Sequence, residues 1–240
     1  MVIPVYDDDP LDRDTHPYVT VAIIAANVAL FLLNTLASPN THVTLERVLP
    51  LVPAAFTGYA LPPSDLPPEV TLVTYMFMHG GWMHLVGNML FLWVFGDNIE
   101  DAIGHVRFAL FYLACGITGG LVHIVSSPAS PVPLIGASGA VAGVVAAYLM
   151  IRPCARVTVL LFGGIPVRLA SYWVLGFWIL TQIWNVVVGD MSNTAWWAHV
   201  GGMGAGAVLI IFLRPSHVLL FECVRPHPAL AAPRLDDRPR

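Results

Sequence analysis

One serine, two histidines and one asparagine in this chain have the types and spacing that nucleophilic catalysis needs. Ser138 lies among small residues, and His199 lies in a second glycine-containing segment. A serine hydroxyl becomes a nucleophile when a base takes its proton, and a neutral imidazole is the usual base near pH 7. His84 and Asn88 are four residues apart, so on a helix they project from one face. Together with the backbone N–H of Ser138, they could stabilise the oxyanion formed when a serine attacks a peptide carbonyl.

The composition places these residues in a membrane protein. Of the 240 residues, 57% are hydrophobic and 11% are charged, and the mean hydropathy is +0.72. Soluble domains carry about 25% charged residues. A membrane-spanning helix needs about 20 mostly apolar residues. The sequence therefore predicts an all-α membrane protein whose membrane domain covers residues 18–213. Its six predicted spans are Tyr18–Leu36, Trp82–Gly96, His105–Ser126, Ser138–Ile151, Ala170–Val188 and Trp196–Leu213.

The arginines indicate how this bundle is oriented. The chain has no lysine, and if the N-terminus lies inside, Arg47 alone among the 11 arginines falls on the outer side. This is the positive-inside pattern, and it supports an even number of spans. The second, fourth and sixth spans then run inward, which places Ser138, His199 and His84 in the outer half of the membrane. Val157–Val167, interrupted by glycine and proline, is expected to form a hairpin or interfacial loop.

The two ends of the chain and the acidic segment after the second span are expected to be solvated. Residues 1–17, rich in aspartate, are predicted to be an uncleaved cytoplasmic tail. Asp97–Asp101 is expected to be a helix end with its solvated loop. Residues 214–240 are predicted to be a second cytoplasmic tail, disordered from Arg225 onward because it is rich in proline. The scattered spacing of the three cysteines favours unpaired thiols at Cys115, Cys154 and Cys223.

Five other polar residues within the predicted spans receive no catalytic role. Amides often bridge helices in membranes, and this interpretation applies to Asn34, Gln182 and Asn185. His105 and His123 lie near helix ends and are expected to be interfacial residues.

The motifs around the candidate residues resemble those of the rhomboid intramembrane proteases. The matching segments are His79-Gly-Gly-Trp-Met-His84-Leu-Val-Gly-Asn88, Gly136-Ala-Ser138-Gly139, and Ala198-His199-Val-Gly-Gly202 with Gly206. The resemblance covers about Leu72–Leu213, in the same order and spacing. It implies a six-transmembrane-helix rhomboid bundle and a catalytic dyad of Ser138 and His199. It also implies that His84 and Asn88 donate to the oxyanion, and that the substrates are single-span membrane proteins cut near small residues.

Other residues of these motifs are expected to support the site. These are His79, Gly136, Gly139, Gly202 and Gly206. Two GxxxG motifs, Gly139 with Gly143 and Gly202 with Gly206, would let the fourth and sixth spans approach closely. The chain departs from the family pattern at Ala142, where many members have an aromatic residue. The first outer loop also lacks the Trp-Arg pair of some members.

Other functions fit the sequence less well. The His-Glu-x-x-His helix of zinc proteases is absent, and no aspartate falls within the predicted spans. The alternative within the family is a non-catalytic rhomboid-like protein that binds membrane clients, but this chain keeps both Ser138 and His199. The expected partners are transmembrane substrates and the lipid bilayer, with no nucleic acid, metal or other cofactor; the oligomeric state stays open. The Ala-rich, Arg-only composition suggests a bacterial plasma membrane.

Overall fold

The described part of the chain folds into long apolar helices with one small antiparallel sheet. The structure is a computed structural model, and it describes residues 3–8, 16–63, 66–161, 164–190, 194–221 and 223. The helices are α1 (Tyr18–Leu36), α2 (Pro39–Val48), α3 (Pro53–Phe56), α4 (Pro68–Thr74), α5 (Trp82–Ile103), α6 (His105–Ser126), α7 (Ser138–Ile151), α8 (Ser171–Val188) and α9 (Trp196–Leu213). The strands are β1 (Ile3–Asp7), β2 (Arg156–Leu161) and β3 (Ile165–Ala170), and a 3-10 turn covers Tyr75–Phe77.

The long helices make this an integral, multi-pass membrane protein. Within the described residues, α1, α6, α8 and α9 are long and apolar enough to cross a membrane by length and composition. The other two predicted spans are also helical. However, α7 has only 14 residues, and α5 carries acidic residues in its last turns. By length and composition, four of the six predicted spans are therefore suited to cross a membrane, whereas α5 and α7 do not meet both criteria.

The helices carry large apolar side chains on their outer faces, as lipid-facing helices do. On α8, Trp173, Phe177 and Trp184 are each about two-thirds exposed, whereas Leu175 and Gln182 are buried. In a water-soluble bundle the polar side chain would face out and the aromatic rings would face in. The reversed pattern fits lipid around the bundle, because the hydrocarbon region solvates apolar side chains and not amides.

Helix α7 lies at the centre of the bundle and packs most tightly against α9. Every residue of α7 from Gly139 to Tyr148 is buried. A Cβ added at Gly202 would overlap the carbonyl oxygen of Gly139, and one added at Gly206 would overlap that of Gly143. The two GxxxG motifs therefore face each other, and the backbones meet at a distance that no side chain allows.

The C-terminal end of α5 differs from the prediction. The second span was expected to end at Gly96 and to be followed by a solvated loop, but α5 continues to Ile103. Glu100 is completely buried and Asp101 is 2% exposed. The expectation of a solvated loop at Asp97–Asp101 is therefore wrong.

Glu100 is buried because it caps a neighbouring helix. Its carboxylate accepts hydrogen bonds from the backbone N–H groups of Val19 and Thr20, at 2.8 and 2.7 Å. These N–H groups lie in the first turn of α1, where no acceptor exists within the helix. A negative charge also interacts favourably with the positive end of the helix dipole. His105 Nδ1 lies 2.5 Å from the same carboxylate, so this histidine contacts α5 and is more than an interfacial residue.

The N-terminal segment also differs from the predicted solvated tail. β1 pairs with β2, which pairs with β3, and both pairings are antiparallel. Asp7, at the end of β1, is buried and accepts hydrogen bonds from Asn98 of α5 and Tyr148 of α7, at 3.0 and 2.5 Å. The predicted hairpin at Val157–Val167 is confirmed as β2 and β3.

The cysteines are not all unpaired. Cys154, which follows α7, forms a disulfide with Cys223, whereas Cys115 is a free, buried thiol. Pairing could not be read from their spacing, because 69 residues separate the two partners. The predicted disordered tail from Arg225 lies outside the described residues.

Candidate active site

Ser138 is presented at the first position of α7 by a loop that is held at two points. Leu134 and Leu51 exchange backbone hydrogen bonds of 2.7 and 3.1 Å, and the Gly136 N–H donates to the Tyr75 carbonyl at 2.9 Å. The buried Tyr75 hydroxyl in turn donates to a backbone carbonyl of α6 at 2.7 Å. Because Ser138 begins the helix, its backbone N–H has no acceptor within α7 and is free to bind an anion.

The Ser138 hydroxyl lies in hydrogen-bonding contact with His199. His199 is in the first turn of α9, and its Nε2 is 2.8 Å from Ser138 Oγ. The imidazole is buried and the serine is half-buried. The contact follows from the glycine packing, because α7 and α9 begin side by side and each carries one of the two residues in its first turn. This is the geometry of a nucleophile and its general base.

Residues of α8 and α9 hold the other side of the His199 ring. Its Nδ1 is 2.8 Å from Gln182 Oε1. The Trp178 ring is stacked beside the imidazole at 6.3 Å between centroids, and the Trp196 ring meets it edge-on at 5.8 Å. Trp178 also packs against a cluster formed by Ala142, Ala146 and Met203. An aromatic side chain from α8 thus lies where the small residue at position 142 leaves room.

His84 and Asn88 lie next to Gly136, which is two residues before Ser138. Gly136 has φ +119°, a conformation that favours glycine, and a Cβ there would lie 2.6 Å from His84 Nε2. The same Cβ would lie 3.7 Å from Asn88 Nδ2. Because position 136 is glycine, the space toward which the His84 and Asn88 side chains point stays free. This space lies beside the first turn of α7.

His79 lies behind the two polar side chains of α5. Its Nε2 is 3.1 Å from Asn88 Nδ2, and its ring meets the His84 ring edge-on at 5.0 Å. Burial, together with the nearby His84, lowers the pKa of His79 to about 4, so its ring is neutral near pH 7. An amide nitrogen can only donate, so it donates one hydrogen to His79 and keeps the other for a second acceptor.

Most of these groups open onto one cavity, although His79 and Gly136 are not among its lining residues. It has a volume of about 950 Å³, and its walls include Ser138, His199, His84, Asn88 and Gln182. Its size suits an extended segment of peptide, and its far walls carry aromatic and aliphatic side chains. His123 of α6 also lines the cavity, although it was expected to be only interfacial. Among the described residues, no group of three or more His, Cys, Asp or Glu side chains could hold a metal ion.

The structure brings together the four principal residues predicted from the sequence, Ser138, His199, His84 and Asn88. Gly139, Gly202 and Gly206 lie in the helix contact beneath them rather than in the cavity. Four residues with a part in this arrangement received no such role from the sequence: Tyr75, Trp178, Gln182 and Trp196. The sequence did contain a signal for Gln182. It recurs at helical spacing with Ser171 and Leu175, and these three residues form the buried face of α8.

Comparisons with known proteins identify the family to which the chain is similar. Residues 68–216 match the family model described as Rhomboid domain. The chain is 35% identical to Rhomboid protease GluP of Bacillus subtilis over 135 residues, which are 56% of this chain and 24% of that protein. It is 27% identical to RHOMBOID-like protein 1 of Arabidopsis thaliana over 232 residues, 84% of this chain and 55% of that protein. It is also 27% identical to Rhomboid protein 1, mitochondrial, of Saccharomyces cerevisiae over 201 residues, 81% and 53% of the respective chains.

The chain spans about a quarter to about half of the length of these curated relatives. The match nevertheless covers more than half of this chain and contains every helix from α4 to α9. The chain therefore belongs to the rhomboid family.

Proposed function

We propose that this protein is an intramembrane serine endopeptidase that cleaves single-span membrane proteins with a Ser138–His199 dyad. The observation that carries the proposal is the 2.8 Å contact between Ser138 Oγ and His199 Nε2 at the wall of a cavity between apolar helices. A serine hydroxyl in a membrane helix usually bonds back to its own helix. Here it is directed to a histidine on a different helix.

The proposed reaction has two stages. His199 Nε2 takes the Ser138 Oγ proton while Oγ attacks the scissile carbonyl carbon, and the carbonyl oxygen becomes an oxyanion. The tetrahedral species collapses with cleavage of the C–N bond, and the imidazolium gives its proton to the departing amine. In the second stage His199 takes a proton from water, the resulting hydroxide attacks the acyl-enzyme, and Ser138 recovers its proton from the imidazolium.

Three donors are available to the oxyanion in this proposal: the Ser138 N–H, His84 Nε2 and Asn88 Nδ2. The free N–H at the start of α7 adds the positive end of a helix dipole. The contact from His79 restrains the Asn88 amide before substrate arrives. Donors fixed in advance stabilise the charge of the transition state without reorganising, which is the main requirement for such a site.

The membrane topology is part of the proposal. We propose six spans, formed by α1 and by α5 to α9, with residues 1–17 and 214–240 on the cytoplasmic side of a bacterial plasma membrane. The arginine distribution supports this orientation. At 1.5 Å per residue α7 is about 21 Å long, so a helix that ends at the inner surface of a core of about 30 Å begins about 9 Å below the outer surface. Ser138 then lies within the membrane, where the loop before it dips down.

Proteolysis in reconstituted membranes tests the proposal. The purified protein and its Ser138→Ala and His199→Ala variants are placed in liposomes with a single-span substrate that carries small residues near its outer end. The intact protein should release a product, and both variants should release none while keeping the helical content of the intact protein. A non-catalytic, client-binding relative would instead retain the substrate uncut in all three samples, and that result would refute the proposal.

A further inference from the structure

We infer that Gln182 is a positioning residue that holds His199 in the tautomer whose Nε2 can accept the Ser138 proton. The inference rests on the proposed function and goes beyond the dyad. Gln182 is 5% exposed, and its Oε1 lies 2.8 Å from His199 Nδ1. It comes from α8, whereas Ser138 and His199 come from α7 and α9. Three helices therefore contribute to one line of contacts, from amide to imidazole to hydroxyl.

The hydrogen bonds of the Gln182 amide determine which way it faces. Its Nε2 lies 3.1 Å from the Trp178 carbonyl oxygen and 3.1 Å from Thr181 Oγ1. A backbone carbonyl can only accept, so the nitrogen end of the amide must point to Trp178. The oxygen end then points to His199 and can only accept. The reversed orientation would place two oxygens against each other at Trp178.

This orientation assigns the proton on the imidazole. Because Gln182 Oε1 accepts, His199 Nδ1 must carry the hydrogen, and in the neutral ring Nε2 then carries the lone pair. Nε2 is the atom that faces Ser138 Oγ. In the other tautomer the Nε2–H would face the serine and could not take its proton, and Nδ1 would have no hydrogen to give Gln182. The buried amide therefore favours the form of the base that the reaction needs.

A carboxylate holds this position in the Ser-His-Asp triad, where it also stabilises the imidazolium. Gln182 is neutral and can orient the ring without supplying that charge. The one carboxylate in the described part of the α8–α9 connection, Asp190, accepts a hydrogen bond from Trp196 Nε1 at 2.9 Å. The other titratable groups that face His199 are His84 on α5 and His123 on α6. Both are histidines, so the negative partner of a triad is replaced here by an amide.

Two substitutions at position 182 separate positioning from packing. Gln182→Met keeps the length of the side chain and removes the acceptor, whereas Gln182→Glu keeps an acceptor and adds a charge. Asn34→Leu is the matched control, because it also removes a buried amide from a spanning helix, on α1 and away from the cavity. For each variant in liposomes we would measure kcat and KM against pH, and the rate at which a fluorophosphonate probe labels Ser138.

The two variants are expected to differ in both the rate and the pH profile. Gln182→Met should lower both kcat and the labelling rate about 10- to 100-fold, the loss expected for one buried hydrogen bond in the transition state, with KM nearly unchanged. Gln182→Glu should recover most of the labelling rate. The acid limb of its pH–rate profile should move to higher pH by about one unit or more, because a carboxylate favours the protonated imidazole, whereas the base must be neutral. Asn34→Leu should match the intact protein in every measurement.

Three results would overturn the inference. The first is a Gln182→Met variant whose labelling rate is within about twofold of that of the intact protein, since one hydrogen bond should be worth more than this. The second is an equal loss of rate in Gln182→Met and Gln182→Glu with no movement of the pH profile. The third is an equal loss of rate in Asn34→Leu. Failure of the proposed function looks different. The intact protein would then cut no substrate and Ser138→Ala would change nothing, while the labelling rates would still report whether Gln182 affects the serine.

Discussion

Replacing Gly202 by alanine should separate the two residues of the proposed dyad without touching either of them. Gly202 lies three positions after His199, and its missing Cβ would overlap the carbonyl oxygen of Gly139, which directly follows Ser138. To reach ordinary van der Waals contact, the first turns of α7 and α9 must move apart by about 1.5 Å. The contact of 2.8 Å between Ser138 Oγ and His199 Nε2 would then exceed hydrogen-bonding distance. A displacement of this size costs about 10²-fold in rate.

Gly204 provides the control for this prediction. It lies on the same helix, is exposed, and has no atom within 4 Å of the position that a Cβ would take. Gly204→Ala should therefore leave kcat unchanged and should not lower the thermal stability, because alanine favours the helix by about 1 kcal/mol over glycine. Gly202→Ala should lose about 10²-fold in kcat. It should also lose about 1–3 kcal/mol of stability through overpacking.

The assay is cleavage of a single-span substrate in liposomes, with thermal unfolding followed by circular dichroism on the same samples. Folded Gly202→Ala protein with kcat within about twofold of the intact protein would refute the reasoning, because a displacement of about 1.5 Å should cost far more. Equal losses in the Gly202→Ala and Gly204→Ala variants would refute it as well, since a general effect on α9 would then explain both.

Three further predictions concern the proposed oxyanion donors, the cap of α1 and the membrane topology. Asn88→Ala should lower kcat about 10- to 10²-fold with little change in KM, since one oxyanion donor is lost and the others remain; near-normal turnover would reduce Asn88 to a packing role. Glu100→Gln should lower the free energy of unfolding by about 1–3 kcal/mol, because a charged cap of α1 is lost, whereas exposed Glu46→Gln should change it little; calorimetry or thermal unfolding that finds the two equal would contradict this. A single cysteine at Thr194 in a cysteine-free variant should react with an impermeant reagent from outside, and one at Arg156 should not; reversed labelling would invert the proposed topology.

The sequence by itself determined the class of protein and the residues with chemical potential. Hydropathy adds up along a segment, so the apolar runs alone placed helices where α1, α6, α7, α8 and α9 are found. Helical spacing put His84 and Asn88 on one face, and two glycine repeats predicted close packing of the helices that carry Ser138 and His199. These are local properties, and local periodicity is enough to recognise them.

What only the tertiary structure decided depends on partners that are distant in the chain. Glu100 is buried because it caps a helix 80 residues earlier, and Asp7 meets Tyr148 across 141 residues. No local pattern encodes such pairs, so both acidic segments were predicted to be solvated, as isolated carboxylates are. The same holds for the base. In the sequence, Gln182 cannot be told from an amide that merely bridges two helices. Its oxygen faces His199 Nδ1 because α8 packs with its Gln182 face toward the site, and because the Trp178 carbonyl accepts a hydrogen bond from the amide nitrogen.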